Sequence, residues 1–344
     1  MALKSGLYWI RCSAGINHIV EYELKKLDIL KKCDLKKHRS LFVYLKKEDS
    51  SLVKKIKTID DIYSYVGSFQ GIGNTKASID SLVTYFNNKI LSSINPYLKN
   101  SSVRVTLSFL GTRNFSRFYV EGKINDVLKS CNTINVLSNE NEDKFTKGEK
   151  RIRIHIEDDI ADFGISVFDK PLHRRPWRKD SYPSQLHPPI AAAMSLLATP
   201  KANSTIIDPF CGSGTILIES KNQHPSISHI GYDISKEAIS IAKRNVINVG
   251  ISISFKQQDS LKNFKENGFY IISNPPWGDK HLIEKSNLNL FMRQFSKLIK
   301  NSDGAVLLLP ENYIKLINNQ GFKVKQLFQT RIKGKIAFAV KVDV

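Results

Sequence analysis

Cysteine is scarce in this 344-residue chain, which has four, at positions 12, 33, 131 and 211. No two of them form a Cys-x-x-Cys pair, so neither the common zinc frameworks nor a disulfide scaffold is expected, and no metal site. A reducing, cytoplasmic setting fits that usage. No apolar run approaches the roughly 20 residues that cross a bilayer. Met1-Ala2-Leu3-Lys4-Ser5-Gly6 lacks the apolar core of an export signal. The three-glycine dinucleotide fingerprint and the Gly-Lys-Ser/Thr end of a P-loop are both missing, which disfavours a dinucleotide and a nucleoside triphosphate. Acidic residues are few as well: Asp+Glu 32 against Lys+Arg 52, a net charge of +20. Such an excess favours a polyanionic partner, and without a membrane-spanning run that partner is expected to be nucleic acid.

The length predicts two or three domains. Residues 1–57 carry 14 basic and 6 acidic residues, 58–170 carry 14 and 14, and 171–344 carry 24 and 12. The two ends therefore supply the positive field. Residues 1–57 read as a small α+β domain, with strands at Leu7–Cys12 and Ser40–Leu45 and a helix at Ile16–Leu27. Residues 58–170 alternate helix and strand, with a helix over Ile79–Ile94 and strands at Ser102–Phe109, Ile152–Glu157 and Phe163–Val167. Gly111 to Phe118 is a basic, aromatic loop. Residues 171–189 form a proline-broken junction containing Arg174, Arg175, Trp177 and Arg178. Side by side, Arg and Trp suit phosphates and bases, or a linker whose Trp packs on a neighbour. Residues 190–344 alternate strand and helix as a doubly wound, Rossmann-like α/β sheet does.

Asp208-Pro209-Phe210-Cys211-Gly212-Ser213-Gly214-Thr215 lies between a strand and a helix, where open α/β sheets bind ligands. Glycines there let a ligand approach the backbone. Asp233-Ile234 ends the next strand, suited to ribose hydroxyls, and Asp259-Ser260 follows the third. Singly, each Asp also suits a cap or a turn. As an ordered series on successive strand ends, they describe an adenosyl cofactor across the strand tips. The expected cofactor residues are Asp208, Phe210, Cys211, Gly212, Gly214, Thr215, Asp233, Ile234, Asp259, Ser260 and Asn274. The Cys211 thiol reads as packing, since no base accompanies it.

Ser273-Asn274-Pro275-Pro276-Trp277-Gly278 follows the apolar run Phe269–Ile272. The Asn274 side-chain oxygen and the Pro275 carbonyl can each accept one hydrogen of a ring amine. Pro275 and Pro276 stiffen the loop. Trp277 offers a stacking face worth roughly 1–3 kcal/mol. These four residues are the expected catalytic set; a rigid turn ending in a buried Trp is the plainer alternative.

Residues 204–278 resemble a class I S-adenosylmethionine-dependent amino-methyltransferase. Leu172-His173-Arg174-Arg175 and His187-Pro188-Pro189-Ile190-Ala191-Ala192-Ala193-Met194 resemble the THUMP-domain RNA guanine-N2 methyltransferases. Residues 103–128, around Gly111-Thr112-Arg113-Asn114-Phe115-Ser116, resemble a THUMP domain, and 1–57 its ferredoxin-like companion. The resemblance implies S-adenosylmethionine as cofactor and the N2 amine of a guanosine as acceptor. It implies RNA as partner, usually tRNA held at its acceptor stem and 3′ end. Many members carry Tyr or Phe where this chain has Trp277; stacking survives the change. Arg113 and Phe115, with Arg174, Arg175, Trp177 and Arg178, are the expected RNA contacts, and a monomer fits this reading. An rRNA substrate, a DNA adenine-N6 or cytosine-N4 methyltransferase, and a catalytically silent RNA-binding protein stay open at this point.

Overall fold

The computed structural model describes residues 6–46, 50–138, 145–180, 182–183, 185–262, 264, 266–277 and 288–344. The chain divides into two compact units, and their limits differ from the expected ones. The first takes Met1–Arg11, Asp28–Ser50 and Asp60–Leu172; the second takes Cys12–Leu27, Ser51–Ile59 and His173–Val344. Helix α1 (Asn17–Lys26) and all but the first residue of α2 (Ser50–Val53) thus fall in the second unit. No helix among the described residues is long and apolar enough to cross a membrane.

The first unit is built on strands β1 (Leu7–Arg11), β2 (Leu30–Lys37), β3 (Ser40–Leu45), β4 (Asp61–Gln70), β5 (Ser102–Phe109), β6 (Asn135–Val136), β7 (Lys150–Glu157) and β8 (Ile160–Ser166). They make one sheet in the order β2-β3-β1-β4-β8-β7-β5-β6. Strands from both sides of residue 57 share that sheet, so the expected boundary there does not separate two sheets. Helix α3 (Ala77–Tyr85) runs through a π-helical turn (Phe86–Leu91) into α4 (Ser92–Leu98), where the spacing predicts a single helix. Together with α5 (Arg117–Lys129), these helices pack on one sheet face through Ile79, Phe86, Ile124, Val105, Ile154 and Phe163.

Side chains alternate across a strand, so the opposite face receives the polar partners of that apolar row. Arg104 pairs there with Glu149 at 2.8 Å and Arg151 with Asp61 at 2.9 Å, all four buried. Trp9 stacks on Phe42 with ring centroids 6.0 Å apart. Gly164 makes room for that indole: a Cβ at 164 would stand 2.9 Å from Trp9 Cε3.

The second unit holds β9 (Thr205–Asp208), β10 (His229–Asp233), β11 (Ser254–Gln257), β12 (Phe269–Ser273), β13 (Ala305–Leu309), β14 (Lys323–Ile332) and β15 (Lys335–Asp343). Their order is β11-β10-β9-β12-β13-β15-β14. The strands from β11 to β13 are parallel; β15 runs antiparallel to both β13 and β14. Helices α6 (Pro188–Leu197), α7 (Thr215–Gln223), α8 (Lys236–Val249), α9 (Leu288–Lys300) and α10 (Glu311–Asn318) complete the expected Rossmann-like α/β pattern. β12 and β13 are buried along their whole length, as the unbroken runs Phe-Tyr-Ile-Ile and Ala-Val-Leu-Leu-Leu require of strands covered on both faces. Strand order reverses at β9, which has β10 on one side and β12 on the other. The carboxyl ends of β9 and β12 therefore flank the crevice where such sheets take ligands.

The N-terminal pieces belong to this unit through specific bonds. Glu23 of α1 accepts from Lys57 N at 3.0 Å, Thr58 N at 3.0 Å and Thr58 Oγ1 at 2.6 Å, which joins the two pieces, and Arg175 Nη2 donates to the Lys57 carbonyl at 2.6 Å, which joins them to 173–344. Gly15 lies flush against β14, where an added Cβ would meet the Gln329 carbonyl oxygen at 1.7 Å.

Candidate active site

The glycine loop joins β9 to α7. Gly212 has φ +52 and Gly214 φ +81, the left-handed region that glycine enters at no steric cost. Their surroundings differ. A Cβ on Gly214 would stand 3.0 Å from Phe255 Cζ, so this glycine serves packing. A Cβ on Gly212 would meet nothing within 4 Å, so this is the position open to a ligand.

Asp233 ends β10. Its Oδ2 accepts from Gly212 N at 2.9 Å and its Oδ1 from Ser235 N at 2.9 Å. The carboxylate fixes the loop and keeps lone pairs for further donors, as a ribose-binding acid must. Beside it Ile234 is 59% exposed, an apolar side chain placed to flank a flat ring. Asp259 accepts from Leu261 N at 3.1 Å and lies 3.3 Å from Lys262 Nζ. Ser260 is buried and donates to the Pro209 carbonyl at 2.9 Å, so it shapes the glycine-loop backbone. Phe210 packs on Phe291 and Phe295, and Thr215 is buried with its hydroxyl 3.4 Å from that of Ser213. Burial, followed by the charges of Asp208 and Asp233, pushes the Cys211 thiol well up, which fits a packing role.

Asp208 is 1% exposed. It accepts from Phe210 N at 3.1 Å and from Ser273 Oγ at 2.7 Å. Burial pushes its carboxyl up to about 7, against the pull of those two hydrogen bonds; Asp233 adds to the rise. Asp208 therefore acts as a bolt between the two motifs. Ser273 is the last residue of β12, so the bond ties the start of the glycine loop to the start of the Asn-Pro-Pro-Trp loop. No sequence pattern marks Ser273 for this role, because a serine before a motif carries no signal of its own.

The loop after β12 is held from outside as well. Trp277 Nε1 donates to the Leu308 carbonyl at 3.2 Å, and Tyr313 Oη donates to the Pro276 carbonyl at 3.1 Å. Trp277 is half-buried, with its N–H anchored to β13. Asn274 Oδ1 is buried and has no hydrogen-bond partner among the described residues. An amide oxygen left so costs about 1–3 kcal/mol, a penalty removed when a donor arrives. Gly278 lies outside the described residues. The open position at Gly212, the held Asp233, the exposed Ile234 and the waiting oxygen of Asn274 together fit an adenosyl cofactor beside an amine.

The expected RNA contacts are redistributed. Arg175 is 7% exposed; its Nε donates to Glu219 Oε1 at 2.7 Å and its Nη2 to the Lys57 carbonyl at 2.6 Å. It is an internal strut, and Trp177, 6% exposed, packs as a linker Trp would. Arg178 is half-buried and bonds Gln185 Oε1 at 2.8 Å and the Leu186 carbonyl at 3.2 Å. In the first unit, Arg113 donates to the carbonyls of Gly73, at 3.2 Å, and of Asp158. Phe115 is a core residue set edge-on to Phe109. In each case a nearby carbonyl, carboxylate or apolar pocket claims the side chain. Of this set only Arg174 is exposed.

Two family models match the chain. The RMKL-like methyltransferase domain covers residues 175–337, and a DNA methylase model covers residues 35–244. The first spans both halves of the site; the second ends before β12 and so omits the Asn-Pro-Pro-Trp loop. The U6 snRNA (guanine-N(2))-methyltransferase THUMPD2 of Bos taurus is 32% identical over 166 residues, 47% of this chain and 32% of that protein. The tRNA (guanine(6)-N2)-methyltransferase of Archaeoglobus fulgidus is 28% identical over 195 residues, 47% of this chain and 49% of that protein. The chain thus matches between a third and a half of these relatives' lengths. The crystal structure of TrmN from Thermus thermophilus superposes with a TM-score of 0.77 at 19% identity, covering 98% of this chain and 99% of that one, and so shares its fold. Residues 175–337 thus carry an RMKL-like methyltransferase domain on a class I methyltransferase fold, similar in sequence to RNA guanine-N2 methyltransferases.

Proposed function

We propose that this protein transfers a methyl group to the N2 amine of a guanosine in RNA, with tRNA as the substrate class. The observation that carries the reading is the buried Asn274 Oδ1 at the tip of β12, without a hydrogen-bond partner among the described residues, beside a glycine loop bolted to the same strand end by Ser273 and Asp208. When bound, S-adenosylmethionine, the methyl donor of the family, supplies an electrophilic methyl on its sulfonium. Asp233, Ile234 and the Gly212 backbone would hold its adenosyl part.

The guanosine leaves its stack at a cost of a few kcal/mol and enters the loop. Asn274 Oδ1 accepts one hydrogen of its amine. Because Tyr313 already takes the Pro276 carbonyl, the Pro275 carbonyl is assigned the other. Trp277 stacks on the ring with its N–H end fixed to Leu308. A guanine N2 lone pair is delocalised and weakly nucleophilic, so orientation supplies most of the acceleration. The first unit is proposed as the RNA-docking part, taking an acceptor stem and 3′ end as a THUMP module would. The Archaeoglobus fulgidus relative, named for a tRNA guanine, supports tRNA as the substrate class; the Bos taurus relative is named for U6 snRNA.

Incubation of the protein with labelled S-adenosylmethionine and tRNA, rRNA or DNA, followed by nucleoside mass spectrometry, tests substrate and atom together. N2-methylguanosine from tRNA is the expected product. N6-methyladenine or N4-methylcytosine from DNA would replace this reading with the DNA methylase one. Asn274→Ala should lose at least about 10²-fold in kcat, with S-adenosylmethionine affinity in calorimetric titration unchanged. Near-normal turnover would sink the assignment of Asn274.

A further inference from the structure

We propose that the β14–β15 hairpin is a phosphate-gripping arm of the methyltransferase unit, taking the RNA backbone next to the target nucleotide. The proposal rests on the RNA reading of the site and adds a surface to it. Between Glu311 and Asp343 the chain has no acidic residue and seven basic ones: Lys315, Lys323, Lys325, Arg331, Lys333, Lys335 and Lys341. Two of these pair with the flanking acids, Lys315 with Glu311 at 2.9 Å and Lys341 with Asp343 at 3.1 Å.

Register places the charge. β13 ends at Leu309, which pairs with Phe338 of β15. The hairpin continues past that point through Ala337, Ile336 and Lys335 to the turn at Gly334. Three further residues at about 3.3 Å each carry it roughly 10 Å beyond the carboxyl end of β13. That edge carries the amine clamp: Leu308 of β13 anchors Trp277, and β12 lies two strand positions from β15. Arg331, Lys333 and Lys335 at the tip are all exposed. Lys323 and Lys325, equally exposed, stand at the other end of the hairpin, where Lys323 pairs with Asp343.

Two features argue for a polyanion rather than another strand. Gly15 covers the outer edge of β14 at Gln329, so ladder pairing along that edge is blocked. Inward, Phe328, Thr330, Ala337 and Ala339 are buried, which holds the hairpin to the unit and fixes where its tip points.

The test is equilibrium binding of an unmodified tRNA transcript across a salt series, without S-adenosylmethionine, alongside steady-state methylation. Each lost phosphate contact lowers the slope of log K against log salt by about 0.7–0.9. The full-length Arg331→Ala/Lys333→Ala/Lys335→Ala variant should lose about 2 from that slope, as three such contacts require. Its affinity at low salt should fall at least tenfold, with KM for RNA raised, kcat near the parent value and S-adenosylmethionine affinity unchanged. The charge-preserving Arg331→Lys/Lys333→Arg/Lys335→Arg variant should bind like the parent. Lys323→Ala/Lys325→Ala should leave KM unchanged. An unchanged slope in the tip variant, or an equal KM effect from Lys323 and Lys325, would overturn the arm. If the triple variant fails to fold, Lys335→Glu takes its place: a lowered slope supports the arm and an unchanged one overturns it. Because binding is read without turnover, an altered slope with product formed only on DNA would keep the arm and remove the RNA reading.

Discussion

The two units bury charge for different ends. In the first, Arg104–Glu149 and Arg151–Asp61 lie inside the sheet face, and Arg11 bonds Ser40 at 2.7 Å. Burial, then the charges of Arg11 and Arg153, pushes His155 down to about 2, so this ring stays neutral among cations. The second unit also buries a pair, Arg175–Glu219, while Asp208 stands buried at the head of the site and Arg331, Lys333 and Lys335 of the hairpin tip are exposed. The residue types are the same. The first unit uses them for construction; the second uses them for construction and also at its site and surface. Net charge follows the division: the first unit, with 23 basic and 18 acidic residues, is closer to balance than the second, with 29 and 14. A balanced segment has internal partners for its arginines; an unbalanced one must leave some outside.

Substitutions among the buried pairs should cost the most. Arg104→Ala would strand Glu149, and Arg175→Ala would strand Glu219, each carboxylate fully buried. Removing one member of a buried pair costs about 3–5 kcal/mol. Urea unfolding should show both losses, and the folded Arg175→Ala population should keep the parent's salt slope for RNA. A reduced slope with full stability would return Arg175 to the RNA surface.

Asp208→Asn probes the buried carboxyl at the site. The folded carboxyl holds its proton to about 7, whereas the unfolded one releases it near 3.8. Between those values the native state binds more protons, so this group's contribution is full below pH 4 and falls as pH rises through about 7. Over about three pKa units the fall is on the order of 4 kcal/mol. Asn keeps an acceptor for Ser273 and cannot ionise. Its stability relative to the parent should therefore rise from pH 4 to pH 7; parallel profiles would place Asp208 in a more polar setting.

The second unit is legible in sequence because its signals are local and ordered. Glycines, Asp208, Asp233, Asp259 and the Asn-Pro-Pro-Trp loop fall at strand ends that apolar runs mark. β2 is not legible: Leu-Lys-Lys-Cys-Asp-Leu-Lys-Lys has no strand alternation, and its pairing with β3 comes from the sheet. β4 escapes for a related reason, since Gly67 and a register shift interrupt its pattern. The transfer of 12–27 and 51–59 to the methyltransferase unit rests on Arg175 bonding the Lys57 carbonyl and on Gly15 lying against Gln329, contacts between distant residues that no local pattern announces. The arginines of the junction mislead for the same reason. A basic side chain looks alike in sequence whether it meets Glu219 or solvent.

Arg174 and Arg175 reduce the contrast between the units to two neighbours with opposite settings. Arg174 is exposed and Arg175 is buried on Glu219. Arg174→Ala should change unfolding stability by less than about 0.5 kcal/mol, as surface substitutions do. It should lower the salt slope of RNA binding by about 0.7–0.9, one phosphate contact. A slope unchanged by this variant would leave the junction a structural linker. The RNA grip of the second unit would then fall to the hairpin of β14 and β15, where six basic residues from Lys323 to Lys341 run without an acid before Asp343.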